Sequence, residues 1–174
     1  MALSLFRKSA STEPVYALYA AIVAQSRQPR FYAEWGVPDT VTGRFDMISL
    51  NLALVLRRLR SEREAKIFGQ ALFDLFFKDM DRSLREMGAG DLAVPKKIRK
   101  MGELFYGLLA SLDTALTSGK PAEVEGVLLR NIYAAESAAG AAALANYLID
   151  EAHRLTLVPV GRIMAGHLDL GEAA

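Results

Sequence analysis

The chain has 174 residues, of which 52% are hydrophobic and 24% charged, so it is long enough to bury a core unaided and too apolar to stay disordered. Its 21 lysines and arginines against 20 acids leave a formal charge of +1, which gives no general attraction to polyanions and argues against nucleic acid as a partner. It has no cysteine and only two histidines, His153 and His167, which excludes disulfides, thiolate chemistry and cysteine-based zinc sites.

Residues 1–13 read as a polar, flexible tail; MALSLFRKSASTEP has no long apolar run behind its charges, so neither a secretory signal nor a transit peptide is expected, and the address is cytoplasmic by default. Leu3 and Phe6 beside Arg7 and Lys8 offer at most a weak surface anchor. A first helix is predicted from Pro14 to Gln28, because Val15, Leu18, Tyr19, Ile22 and Ser26 recur at helical spacing behind a proline suited to a first turn. Pro29 restarts a short helix through Trp35, which Gly36 ends, and Pro38, Asp39 and Gly43 read as a loop. Phe45, Ile48, Leu52, Val55, Leu56 and Leu59 form the next stripe, and Leu50 and Leu54 add apolar surface elsewhere, which places this helix at the centre. It ends in Arg57, Arg58 and Arg60, where the macrodipole favours cations.

Ser61 and Glu64 have capping-box spacing, so a helix is predicted from there through Phe68, Leu72, Phe76 and Leu84 to Met87, with Gly88 as its stop. The short hinge makes this helix and the one before it an antiparallel hairpin. Pro95 opens a helix past Ile98, Met101, Phe105, Leu108, Leu109 and Leu112 that ends before Gly119, and Pro121 opens another through Val124, Val127, Leu128 and Ile132. An alanine-rich helix is predicted from Ser137 to Leu155, and Pro159 breaks it before a tail over 159–174. No period-two alternation or Asn-Gly turn appears, so the class is all-α: a single domain over 14–158, a bundle of about six main helices. Gly69, Gly102, Gly107, Gly126 and Gly140 fall inside these helices and are expected to mark close helix contacts. The most apolar stretch, Ala134 to Ile149, contains Glu136 and Asn146 and falls short of the ~20 apolar residues of a membrane span.

The chemistry-bearing residues concentrate between Phe73 and Asp91. Asp74, Lys78, Asp81 and Arg85 share one helix face and Asp79, Arg82 and Glu86 another, the pattern of solvated pairs worth about 0.2 to 0.5 kcal/mol each. A metal or diphosphate site of the helical isoprenoid kind is the competing reading, but Asp79 and Asp81, two residues apart, point to different sides. His153 beside Asp150 and Glu151 reads as a helix residue, and no G-x-S-x-G elbow or P-loop occurs, so no catalytic residue, metal or cofactor is expected. Lys96, Lys97, Arg99 and Lys100 crowd a helix start, where the macrodipole disfavours cations; an anionic membrane surface or an acidic partner is the candidate use. Phe73, Leu75, Phe76 and Phe77 point in nearly all helix directions, so either the helix is enclosed or part of this bulk lines a partner groove.

FYAEWGVPDTVTGRFD (Phe31 to Asp46), RRLRSE (Arg57 to Glu62) and QALFDLFFKDMDRSLREMGAGDLAVPKKIRKM (Gln70 to Met101) resemble the ubiquinol-cytochrome c chaperone family, most specifically in V-P-D-T-x-x-G-R-F-D and D-M-D-x-x-L-R-E-M-G-x-G-D. The resemblance implies a non-enzymatic assembly factor for the cytochrome bc1 complex, working beside the inner membrane on cytochrome b or another bc1 subunit, with or without a second assembly factor. The lack of an evident targeting region fits a bacterial relative. By motif, Arg44, Phe45, Asp46, Asp79, Asp81, Arg85, Glu86 and Asp91, with Phe73 and Phe77 from the apolar bulk, are the candidate partner-binding residues. Arg44 and Asp46 could instead form a buried ion pair locking the loop. The alternatives are a helical module binding a lipid or quinone, and a metal-dependent isoprenoid-type enzyme.

Overall fold

Every apolar stripe in the sequence becomes a helix in the computed structural model of the chain, which describes residues 12–168, 170 and 171. The readings made for Leu3, Phe6, Arg7 and Lys8 lie outside the described residues. The elements are α1 (Thr12–Ser26), α2 (Pro29–Ala33), α3 (Val41–Arg60), a 3-10 turn (Arg63–Ala65), α4 (Lys66–Glu86), α5 (Val94–Ser118), α6 (Pro121–Leu128), a π-helical turn (Leu129–Tyr133), α7 (Ala141–Leu157) and α8 (Val160–Met164). Six of the helices have eight residues or more, and no strand occurs among the described residues. The fold is an all-α bundle.

α3 is the axis of the bundle, packed by α1, α4, α5 and α7. Its burial runs around the whole circumference, with Met47, Leu50, Leu52, Leu54 and Val55 all sealed from solvent, as an apolar pattern without a polar face requires. Two polar residues, Ser49 and Asn51, also lie in this helix's interior. Asn51 is satisfied: its amide nitrogen donates to Ser26 Oγ at 3.0 Å and to the Met47 carbonyl at 3.1 Å, and its Oδ1 accepts from Tyr147 OH at 3.0 Å. Gln25 extends the network to Tyr147 OH at 2.7 Å and to the Gly171 carbonyl at 2.6 Å, tying α1, α3, α7 and the C-terminal segment together. Such a network fixes relative helix positions, because any slip leaves a buried polar group unpaired.

Four expectations need correction. α3 starts at Val41, inside what reads as a loop: Thr40 accepts a hydrogen bond from Gly43 N at 3.1 Å, and a Cβ on Gly43 would sit 1.9 Å from the Pro38 carbonyl oxygen. Ser61 does not open α4 through a capping box; its hydroxyl donates back to the Arg58 carbonyl at 2.8 Å, and the 3-10 turn intervenes before Lys66. α7 begins at Ala141, not Ser137, because Gly140 presses on Trp35, whose carbonyl oxygen would lie 2.1 Å from an added Cβ. The interior glycines do not all mark close contacts: Gly107 has nothing within 4 Å of where a Cβ would stand, and Gly69 and Gly102 have only ordinary side-chain neighbours.

The stops do follow the sequence, with Gly36, Gly88 and Gly119 each at positive φ after α2, α4 and α5. Beyond Pro159 the chain forms α8, which packs on α1.

Candidate functional site

Five phenylalanines knit α4 to α3 and α5. Phe76 is fully buried and stacks on Phe45 with centroids 5.4 Å apart, while Phe73 and Phe77 lie 4.7 Å from each other and 5.8 and 6.0 Å from Phe105. The aromatic bulk of α4 is therefore mostly consumed in joining helices. Phe77 rests against Gly102 of α5, and Phe73 reaches the edge of a cleft described below.

Beside this cluster runs an open apolar groove between α3, α4 and α5, with cavities of about 330 and 360 Å³ that share Val41, Phe45, Leu84 and Met101. Met80, Met87 and Leu104 add to its apolar lining. Val41, Met87 and Leu104 are more than half exposed, at 59%, 51% and 56%, so the groove presents bulky apolar side chains to solvent along its rim. The α4 side carries Asp79 and Glu86, and the α5 side carries Lys97 and Lys100. The π-helical turn brings Asn131 and Ile132 to one end.

This groove gathers Arg44, Phe45, Asp46, Asp79, Glu86, Lys97 and Lys100 of the sequence candidates. Arg44 and Asp46 are not an ion pair. Arg44 Nε lies 2.7 Å from Asp39 Oδ1 with both side chains largely exposed, and its guanidinium sits 6.0 Å from the Tyr32 ring centre. Two residues apart on a helix, Arg44 and Asp46 diverge. Asp46 turns into the groove, where burial pushes its carboxyl up to about 7, with no ion pair among the described residues to offset the lost solvation. Ser49, in the same cavity, has a buried hydroxyl without a hydrogen-bond partner among the described residues.

Asp79 accepts a hydrogen bond from Tyr19 OH at 2.8 Å, clamping α1 to α4; burial and then this carboxylate raise the Tyr19 hydroxyl well above its ordinary value. Asp81, Arg85 and Asp91 lie away from the groove, where Arg85 bridges Asp81 at 2.7 Å and Asp91 across the end of α4. Arg82 pairs with Glu86 at 2.8 Å, whereas Asp74 accepts from Gln70 and not from Lys78. Among the described residues no three His, Cys, Asp or Glu side chains gather as a cation site. Lys96 and Arg99 are outside the groove, since α5 turns only Lys97 and Lys100 toward it.

Val41, Leu84, Met87, Met101 and Leu104 carry the groove, and the sequence named none of them as site residues: Leu84, Met87 and Met101 read as helix positions, and Val41 and Leu104 drew no reading. Leu104 carried no separate signal: three residues after Met101 and four before Leu108, it falls at the spacing of the core stripe, yet it is 56% exposed.

A second cleft, of about 340 Å³, lies on the other side of the aromatic cluster, between the end of α3, the 3-10 turn, the start of α4 and α5. Among the described residues no helix is long and apolar enough to cross a membrane.

The family model for ubiquinol-cytochrome C chaperone matches residues 33–170. A crystal structure of the Cbp3 homolog from Brucella abortus is 36% identical and superimposes with a TM-score of 0.87 over 94% of this chain and 92% of that one. Ubiquinol-cytochrome-c reductase complex assembly factor 1 of Xenopus laevis is 22% identical over 102 residues, 58% of this chain and 51% of the relative, so the chain spans about half the length of the curated relative it matches. Membership of a chaperone family displaces the isoprenoid-enzyme reading. The chain belongs to the ubiquinol-cytochrome C chaperone family.

Proposed function

We propose that the chain is a non-enzymatic assembly chaperone for the cytochrome bc1 complex, and that the groove between α3, α4 and α5 holds an apolar segment of newly made cytochrome b. One observation carries the reading: a continuous groove with Met80, Met87 and Met101 in its lining and Val41, Met87 and Leu104 exposed along its rim. Methionine side chains adapt to irregular apolar surfaces, and a helix seats its apolar face in a groove of this kind. Acids on the α4 bank and lysines on the α5 bank orient the client by opposite charge at its two flanks. Asp81, Arg85 and Asp91 stay outside, as do Lys96 and Arg99, which leaves the first set to a second assembly factor and the second to an anionic membrane at the inner-membrane surface.

The test is a deletion strain complemented with Leu104→Asp. The site is 56% exposed, so the fold tolerates the charge, while a client helix does not. Complementation with the parent chain restores the haem b spectrum of the bc1 complex and the variant leaves it depleted; equal restoration by both refutes the groove. A second reading, a small apolar molecule such as a quinone at the α3 end, draws on the unpartnered Ser49 hydroxyl. Native mass spectrometry of the purified protein separates the two, since only that reading requires a co-purifying mass.

A further inference from the structure

The second cleft takes no part in the client reading, and its chemistry is different. Its floor is apolar, formed by Leu56, Leu59, Phe73, Phe105 and Leu109, and its rim is cationic: Arg57 and Arg60 from α3, Arg63 from the 3-10 turn and Lys66 from α4. Asp113 of α5 holds Arg57 at 2.9 Å and Arg60 at 3.0 Å, which fixes two guanidinium groups at the edge. Arg63 and Lys66 are exposed and form no ion pair among the described residues. Glu62, the one acid lining the cleft, lies 3.6 Å from Arg58 instead. Helix stability does not account for Lys66, because a cation in a first turn opposes the macrodipole.

An apolar floor under a rim with two cations left unpaired, Arg63 and Lys66, complements a molecule with an anionic head and a hydrocarbon body. A free phosphate would leave the floor empty, and an uncharged transmembrane helix would strip solvent from Arg63 and Lys66 without replacing it. Two exposed residues, one lining the cleft and one adjoining its lysine in the chain, are of the kind found at an interface with lipid. Tyr106 lines the α5 lip at 58% exposure, with its ring 5.4 Å from Phe73, and Ile67, next to Lys66, is 73% exposed. A tyrosine with an apolar body and polar tip suits headgroup depth, and an exposed isoleucine beside cations suits insertion just below it.

We propose that this cleft binds an anionic phospholipid of a bilayer, with the phosphate between Arg63 and Lys66 and one acyl chain against Phe73 and Leu109. The site holds the protein at the membrane through the α3–α4 corner and leaves the groove on the other side of the aromatic cluster open.

Vesicle co-sedimentation of the full chain tests it. Parent protein partitions onto vesicles of phosphatidylcholine with a third phosphatidylglycerol and at least tenfold less onto phosphatidylcholine alone. Arg63→Gln with Lys66→Gln lowers the anionic partition about 25-fold, the loss expected for two cations near an acidic surface. Gly69→Leu fills the cleft from its floor, since a Cβ there meets Leu56 and Leu59 only at ordinary contact distances of 3.7 and 3.9 Å, and it lowers partition at unchanged surface charge. Should Gly69→Leu melt early, Tyr106→Ser reads the same lip at an exposed position. Undiminished partition of the charge variant, or of both cleft variants, overturns the site. Binding to polyglutamate without partition onto anionic vesicles assigns the rim to an acidic protein and overturns it equally. No client takes part in this assay, so its failure and failure of the groove reading are distinguishable.

Discussion

Replacing Asp46 by asparagine makes the stability of the protein less dependent on pH, with a sign opposite to that of most carboxylates. The native carboxyl is held at about 7 by burial against an ordinary value of 3.8, so below 3.8 both folded and unfolded chains carry the proton and the group contributes nothing. Between 3.8 and about 7 the folded state keeps a proton that the unfolded state has released, and stability falls as pH rises. Above that window the penalty is constant. Each pH unit inside it costs about 1.4 kcal/mol, which gives a ceiling of about 4 kcal/mol and, for a half-buried side chain free to relax toward water, about 2 to 4 kcal/mol. Lys97 and Lys100 line the same cavity but make no ion pair with Asp46. The carboxylates of Asp39 and Asp113, held below their ordinary range where arginines donate to them, are common to both proteins and cancel in the difference. Urea unfolding at about pH 4 and about pH 8 measures the effect: Asp46→Asn gains on the parent by about 2 to 4 kcal/mol between the two conditions, beyond any constant offset from the amide. Parallel curves at every pH would mean that Asp46 is solvated or paired, and the account of the groove's electrostatics would be wrong.

Two glycines in similar sequence settings respond oppositely to alanine. Gly107→Ala, with no atom within 4 Å of the added Cβ, gains about 1 kcal/mol of helix propensity and raises the thermal midpoint. Gly140→Ala drives a Cβ into the Trp35 backbone and costs about 2 kcal/mol or more, read as a lowered urea midpoint; equal shifts for the two glycines would contradict the packing described for α7. Arg44→Ala removes an exposed pair with Asp39 and lowers stability by no more than about 1 kcal/mol in the same titration, whereas a buried lock with Asp46 would have cost about 3 to 5 kcal/mol.

Helix content and the central place of α3 are legible in the sequence because they rest on local periodicity. Val15, Leu18, Tyr19 and Ile22 are all buried at the spacing that announces them, and α3 is apolar all round because four helices surround it. What depends on distant residues is not legible. The start of α7 is set by contact between Gly140 and Trp35, more than a hundred residues apart, while Ala138 and Ala139 carry no signal of their own. Gln25 meets Tyr147 and Gly171 only in the assembled bundle. The groove is a vacancy between three helices, and a vacancy has no residue pattern: Leu104, on its rim, falls at the same spacing as its buried neighbours Phe105 and Leu108. The family was legible for a different reason, namely the two uninterrupted motifs around Asp46 and Asp79.

A photo-reactive side chain at position 104 tests most directly whether the groove receives the client. Leu157, also exposed at 71% but on α7 and outside the groove, is the matched control. Irradiation of membranes making the bc1 complex is expected to join position 104, and not position 157, to cytochrome b. Adducts of equal yield at both positions, or none at 104 while cytochrome b still co-purifies with the chain, would show that the client is held elsewhere.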